Sequence, residues 1–421
     1  MAPSISNISL AAGLLLLLPA CKATRTTTAV PPARFIETIL QQNPAAFGTI
    51  LQQREERRVQ IIYTRIDRDA GNQPVFTDFY FNTEPDRYFY PASAVKMPLA
   101  FLALEKLHRL GIPRNATFIT ETASPEQTAV FNDPTAPDGR PTVEHYIKKI
   151  FITSDNDASN RLYEFLGQEY LHEQLRQKGY PEAQILHRLS VSLPGAANRR
   201  TNPVRFLTPD GKPLYSQPPA ESRLNYLPRT DSVGKGYMDG NTQVNQPMDF
   251  SGKNRVHLAD LHRMLQTVLF PEAFPEQQRF RFSEDDYRFL YQCLSQLPRE
   301  TRYPEYDTTH YYDSYVKFFL YGTQKQTRIP PTIRIFNKVG WSYGFLTDVA
   351  YIADLQNGVE FMLSATIYCN ADGILNDDRY EYETVGLPFL EALGRQFYEH
   401  ELQRKKKRQP DLSRFRLQYE K

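Results

Sequence analysis

Net charge is what this sequence has least of. Its 50 Lys and Arg stand against 48 Asp and Glu, a balance of +2 over 421 residues. A near-neutral chain gives no reason to expect a nucleic-acid partner. Long apolar runs are also missing. The one candidate, Leu10 to Leu18, is far too short to span a bilayer. Glycine is sparse, 20 residues against 31 Pro, 26 Tyr and 26 Phe, which suggests long loops stapled by aromatic rings. Cysteine is rarer still, with three in all. Cys21 follows the apolar run. Cys293 and Cys369 are left either to pair in an oxidising compartment or to stay as two buried thiols. What is present, 41% hydrophobic and 23% charged residues, is ordinary globular material with enough bulk for a large core.

The first segment is set apart from the fold. Leu18-Pro19-Ala20-Cys21 puts a small residue before a cysteine at the end of an apolar run. It resembles a bacterial lipoprotein signal, which would make residues 1–21 a leader and Cys21 a lipidated N-terminus. No Lys or Arg precedes the run, and an ordinary secretory signal cut nearby is the alternative. Either reading implies a protein of the periplasm or cell envelope; the first adds a membrane partner through the lipid. Residues 22–32 are Thr-rich, end in Pro31-Pro32 and read as a tether. The folded part is expected over 33–402, with a Pro-, Gly-, Asn- and Tyr-rich insertion at about 204–254 and a basic tail over 403–421. The insertion reads equally as a surface excursion or as a lid over a cleft. The run Arg404-Lys405-Lys406-Lys407-Arg408 reads as a solvated helix end that complements the dipole.

The stretch that organises the rest is Tyr90-Pro91-Ala92-Ser93-Ala94-Val95-Lys96. Leu99 to Leu110 is apolar at helical spacing, so Ser93 and Lys96 stand one turn apart at the N-terminal end of a buried helix. A serine hydroxyl needs a base before it can attack, and a buried lysine with a lowered pKa can be that base. The dipole at a helix N-terminus favours negative charge there. Two other Ser-x-x-Lys sequences compete. Ser232 to Lys235 lies in a Gly-rich stretch that cannot open a packed helix; Ser314 to Lys317 is expected on a helix but falls too late in the chain.

Around this stretch the patterns alternate between helix and strand. Phe35 to Gln52 reads as a helix loosened near Pro44, and Val59 to Ile66 with Val75 to Phe81 as a hairpin. Asn115 to Arg140 reads as loop. Thr142 caps a helix, Val143 to Phe151, that runs into Ser154-Asp155-Asn156. Taken alone, those three residues cap the next helix, from Ala158. Three strands follow, from Thr332, Leu346 and Val359, and a last helix from about Leu387 to Glu401. Lys338-Val339-Gly340-Trp341 ends the first of these strands, where Lys338 can point a cation into a cleft and Gly340 lets the backbone approach a ligand. The fold class expected is an α/β (α+β) sandwich, an antiparallel sheet flanked by helices, with an all-helical subdomain.

Three motifs in this order, each in its expected element, resemble the penicillin-recognising serine hydrolases, which include class A β-lactamases and penicillin-binding proteins. The resemblance covers roughly residues 33–110, 140–190 and 255–400. It implies that Ser93 is acylated, Lys96 takes its proton, and Ser154 relays a proton to the leaving nitrogen. It implies that Asn156 bonds Lys96 and a substrate amide, that Lys338 attracts a substrate carboxylate, and that the N–H groups of Ser93 and Trp341 form an oxyanion hole. No metal or cofactor is implied. The substrate would be a β-lactam or a related peptidoglycan-derived amide. The alternatives are an envelope DD-peptidase or esterase, or a binding protein that kept the fold with little turnover.

Two departures bear on the substrate and on turnover. Val339 stands where the family has a hydroxyl residue that binds the substrate carboxylate, and losing such a bond costs about 1.5–3 kcal/mol. The deacylating glutamate is also missing where it should fall, since Arg188 to Asn202 holds no Asp or Glu. A displaced match, Glu221-Ser222-Arg223-Leu224-Asn225, occurs inside the insertion.

Overall fold

The computed structural model describes Met1 and residues 34–421. Cys21 and the residues read as a leader and a tether lie outside the described residues. In chain order the elements are α1 (Phe35–Leu40), α2 (Pro44–Gln52), β1 (Gln60–Arg68), β2 (Pro74–Phe81), α3 (Lys96–Leu110), β3 (Thr117–Thr120), α4 (Val143–Thr153), α5 (Asn156–Leu166), α6 (Gln168–Gln177) and α7 (Gly195–Arg199). The insertion follows as β4 (Val204–Leu207), β5 (Pro213–Gln217), β6 (Ser232–Val233), β7 (Gly236–Asp239), β8 (Thr242–Val244) and β9 (Met248–Asp249). Then come α8 (Leu258–Leu269), α9 (Glu284–Ser295), α10 (Phe318–Tyr321), β10 (Ile333–Ser342), β11 (Phe345–Asp354), β12 (Val359–Tyr368), β13 (Ile374–Leu375) and α11 (Leu387–Gln403).

The central sheet has the order β10-β11-β12-β1-β2, and every neighbouring pair is antiparallel. Strands β11 and β12 are buried along their whole length. Alternate residues therefore serve two cores. Ile61, Tyr63, Ala350, Ile352 and Leu363 pack with α1, α2 and α11; Ile62, Val349, Tyr351 and Met362 face the helices α3 to α9. This is the mixed architecture expected, an antiparallel sheet between helical layers, with the helices of residues 96–177 and 258–295 gathered on one side.

Several elements differ from the sequence reading. The presumed loop 115–140 contains β3, which pairs with β4 of the insertion, and β5 completes a small sheet. Strand β7 pairs with β13 near the C-terminal end of the central sheet. Backbone pairing thus fixes the insertion at two places. Ser314 to Lys317 is a turn rather than helix, because the Lys317 ammonium is buried and takes the carbonyls of Leu294 and Ile335 at 2.8 and 2.9 Å. The basic run after α11 is only partly solvated: Lys405, Lys407 and Arg408 are exposed, while Arg404 and Lys406 turn back onto the domain. Arg404 pairs with Asp67 at 2.6 Å, and Lys406 reaches the Gly358 carbonyl at 2.8 Å. Beyond it the tail straps across the domain: Phe415 is fully buried against Phe270, Phe336 and Tyr351. Cys293 and Cys369 are both free and buried. Among the described residues, no helix is long and apolar enough to cross a membrane.

Candidate active site

The chain reaches Ser93 through a strained turn. Ala92 has φ 44°, a conformation costly for a residue with a side chain. A short 3-10 turn over Ala92–Val95 carries Ser93, and α3 begins at Lys96. Leu99, Phe101, Leu102 and Leu104 anchor that helix in the core, so the turn has little freedom to move. Ser93 is half-buried, while Lys96 is fully buried.

The second motif forms the joint between α4 and α5. Ser154 ends α4 in the left-handed conformation, φ 61°. Asp155 caps α5 by accepting from the Ala158 N–H at 2.8 Å. The capping role read from the sequence is therefore real and belongs to Asp155. It leaves Ser154 and Asn156 turned to Lys96. The Lys96 Nζ donates to the Ser154 carbonyl, to Ser154 Oγ at 3.3 Å and to Asn156 Oδ1 at 2.6 Å.

Lys338 brings in the third motif. It lies inside β10 rather than at its end, because pairing with β11 continues through Ser342. Its Nζ donates to Ser154 Oγ at 2.8 Å and to the Val339 carbonyl at 2.9 Å. One hydroxyl thus stands between two buried amines. Val339 points to the other face of the sheet, into the core with Ile335 and Ala350. Gly340 serves a neighbour more than a ligand: a Cβ there would collide with the Pro91 carbonyl oxygen and lie 3.3 Å from the Ala94 nitrogen. The missing side chain is what lets β10 pack on the turn that carries Ser93. Trp341 follows at the rim, 42% exposed, against Phe318 and Tyr382.

Burial sets the electrostatics. It lowers the Lys96 pKa to about 7, with the Asp155 carboxylate opposing. Lys338 is pushed well below the lysine range by burial and by the charge of Lys96. A neutral amine can accept a proton, and the Ser154 hydroxyl bridges Lys96 and Lys338. None of the hydrogen bonds among the described residues uses the Ser93 hydroxyl.

Three parts of this region carried no usable signal in the sequence. Ser190 Oγ accepts from Asn156 Nδ2 at 2.8 Å and fixes the amide orientation that serves Lys96. Behind β10, Lys317 donates to Asn337 Oδ1 at 2.7 Å, and Asn337 Nδ2 donates to Asp348 Oδ1 at 2.7 Å. Burial lowers Lys317 to about 7 and raises Asp348 to about 7. Third, the Tyr306 hydroxyl oxygen accepts from Thr153 Oγ1 at 3.1 Å, one residue from Ser154. The rejected Ser314-to-Lys317 sequence was the only pointer to any of these. Ser232 is exposed on β6. Glu221 lies on the surface, 3.7 Å from Arg200, with no hydrogen bond or ion pair to Ser93, Lys96, Ser154, Asn156 or Lys338. Among the described residues, no group of three or more His, Cys, Asp or Glu is placed to hold a metal.

Residues 46–212 match the family described as the beta-lactamase enzyme family. No curated protein matches the chain. Among solved structures, a β-lactamase from Desulfarculus baarsii is similar at 14% identity, covering 87% of this chain and 98% of that one, with a TM-score of 0.46. A β-lactamase from Xanthomonas campestris pv. campestris is similar at 16% identity, covering 85% and 98%, TM-score 0.44. The structure titled PBP-A is similar at 15% identity, covering 88% and 98%, TM-score 0.46.

Proposed function

We propose that this protein is a serine hydrolase that forms an acyl-enzyme on Ser93, acting on β-lactams or related cell-wall amides. The observation that carries the reading is the buried Lys96 amine, hydrogen-bonded to Ser154 and Asn156, with Lys338 on the same Ser154 hydroxyl. In this reading Ser93 Oγ attacks the amide carbonyl as its proton passes to neutral Lys96. The N–H groups of Ser93 and Trp341 receive the oxyanion, on two segments held together by the Gly340 contact. The proton moves from Lys96 through Ser154 to the departing nitrogen, and the C–N bond breaks. Lys338 holds the Ser154 hydroxyl from its other side. Asn156 orients Lys96 and a substrate amide.

Glu221 has no place in this scheme, and the Asn156 side chain faces the hydroxyl of Ser190 rather than a carboxylate. That favours a long-lived acyl-enzyme, in keeping with an envelope peptidase, an esterase or a slowly turning-over binding protein. The test is intact-protein mass spectrometry after exposure to a penicillin and a chromogenic cephalosporin. A stable adduct on the wild type, absent from Ser93→Ala and retained in Ser232→Ala and Ser314→Ala, is the expected result. Labelling that survives Ser93→Ala refutes the assignment. The leader reading extends the proposal to an envelope location with lipid on Cys21; detergent-phase partitioning lost on Cys21→Ala tests it separately.

A further inference from the structure

A cavity of about 450 Å³ opens beside the segment that carries Ser190. Val191, Ser192 and Leu193 form one wall, directly after the serine whose hydroxyl accepts from Asn156. His187 forms part of another wall. Its ring stacks on Tyr90, three residues before Ser93, with centroids 6.3 Å apart and planes 8° apart. The cavity and the Ser93 cleft therefore share both a loop and a stacked ring pair.

The charges on its lining do not balance internally. Arg199 and Lys253 are its two cations, and neither has an ion-pair partner among the described residues. Arg199 uses one nitrogen, Nη1, for the carbonyls of Ser222 and Leu224 at 3.2 and 2.8 Å, and lies over the Tyr226 ring. Its Nε and Nη2 make no hydrogen bond among the described residues, which leaves a donor fork of the kind that matches two oxygens of one anion. Lys253 Nζ makes one hydrogen bond among the described residues, to the Tyr343 hydroxyl at 3.4 Å, and lies over the same ring. The one carboxylate in the lining, Asp249, is turned to Ser251, accepting from its N–H at 2.7 Å and its Oγ at 2.9 Å. Burial lowers the His187 pKa to about 4, so that ring is neutral and adds no competing charge. The wall behind is rigid: Gln168 is buried, accepts from the Tyr226 hydroxyl at 2.9 Å and donates to the Leu186 carbonyl at 2.8 Å.

We propose that this cavity is a subsite for a carboxylate carried by the substrate, bound between the Arg199 fork and the Lys253 ammonium while the scissile amide lies at Ser93. The inference rests on the acyl-enzyme reading for the second half of that statement only; the anion subsite stands on its own geometry. It identifies the preferred substrate as an acidic amide. It also assigns the work of substrate-charge recognition to Arg199 and Lys253.

Two measurements separate the halves. The first is equilibrium binding, by calorimetry or NMR titration, of N-acetyl-glutamate methylamide and its glutamine isostere to the Ser93→Ala protein. The acidic ligand is expected to bind about tenfold more tightly or better, as suits a charged hydrogen bond. That preference should fall toward one in Lys253→Ala and in Arg199→Gln. Lys253→Ala removes a side chain with a single long hydrogen bond, so it keeps the test readable if Arg199→Gln loosens its loop. Equal binding of the two ligands, or a preference unaltered in both variants, overturns the subsite. The second is the ratio of wild-type acylation rates for benzylpenicillin bearing or lacking an α-carboxylate, expected to favour the acid and to drop in Lys253→Ala. Absence of any adduct with either compound refutes the acyl-enzyme reading, and the binding arm still decides the subsite.

Discussion

Replacing Gly340 with alanine tests whether β10 positions the nucleophile turn. The added methyl would meet the Pro91 carbonyl oxygen well inside van der Waals contact, and backbone lies on both sides of the overlap. No flexible side chain can yield, so strand and turn must part by on the order of 1 Å, a displacement that can cost about 10²-fold in rate when it falls on reacting groups. The global cost is smaller. Overpacking typically costs about 1–3 kcal/mol, a few degrees in Tm for a domain of this size. Rate and stability should therefore separate. The assay is the second-order rate of Ser93 acylation by a fluorescent penicillin, beside thermal unfolding of the same samples. Gly48→Ala is the control: a Cβ there meets nothing within 4 Å, and the position is inside α2. It should leave acylation alone and raise stability by about 0.5–1 kcal/mol. A Gly340→Ala protein that acylates at the wild-type rate would show that the contact between β10 and the turn has no part in positioning Ser93.

Acylation should rise with pH through about 7 and then level off, because burial holds the Lys96 pKa near 7 and only the neutral amine accepts the serine proton. A profile that keeps climbing to pH 10 would mean an ordinary lysine and the wrong base. Lys96→Ala should slow acylation by about 10²–10⁴-fold, the usual worth of general-base assistance. Glu221→Gln should leave the lifetime of the acyl-enzyme unchanged, since Glu221 faces Arg200 on the surface; a trapped adduct in this variant would identify Glu221 as the deacylating base. Phe415→Ala should cost about 3–5 kcal/mol in denaturant unfolding, as for other fully buried aromatics, and a change below about 0.5 kcal/mol would mean that the tail does not strap the core.

The sequence determined much of the frame because periodicity is a local property. The β1–β2 hairpin, the break between α1 and α2 at Pro44, the buried helix after Ser93 and the Thr142 cap each depend on residues close in the chain. Three strands in succession, β10 to β12, could be read for the same reason. Three Ser-x-x-Lys sequences share one spacing, and Ser93 stands apart because it combines a buried helix start with the right order along the chain. Tertiary structure decided what depends on distant partners. Strand β3 is four residues long and exists because β4, more than 80 residues on, pairs with it. Within the basic run after α11, Arg404 and Lys406 turn inward because Asp67 and the Gly358 carbonyl wait for them, while Lys405, Lys407 and Arg408 stay exposed. The site follows the same division. Local pattern pointed to Lys96 beside Ser93, and the family resemblance implied Ser154, Asn156 and Lys338. Only the folded chain brings two amines to one Ser154 hydroxyl, and only burial in that fold moves the Lys96 pKa from the lysine range to about 7. Gly340 was legible as a glycine that something approaches closely, but whether that something is a ligand or the Pro91 carbonyl depends on where β10 lies. A one-dimensional pattern records which groups are available; desolvation and contact across the chain fix what those groups can do.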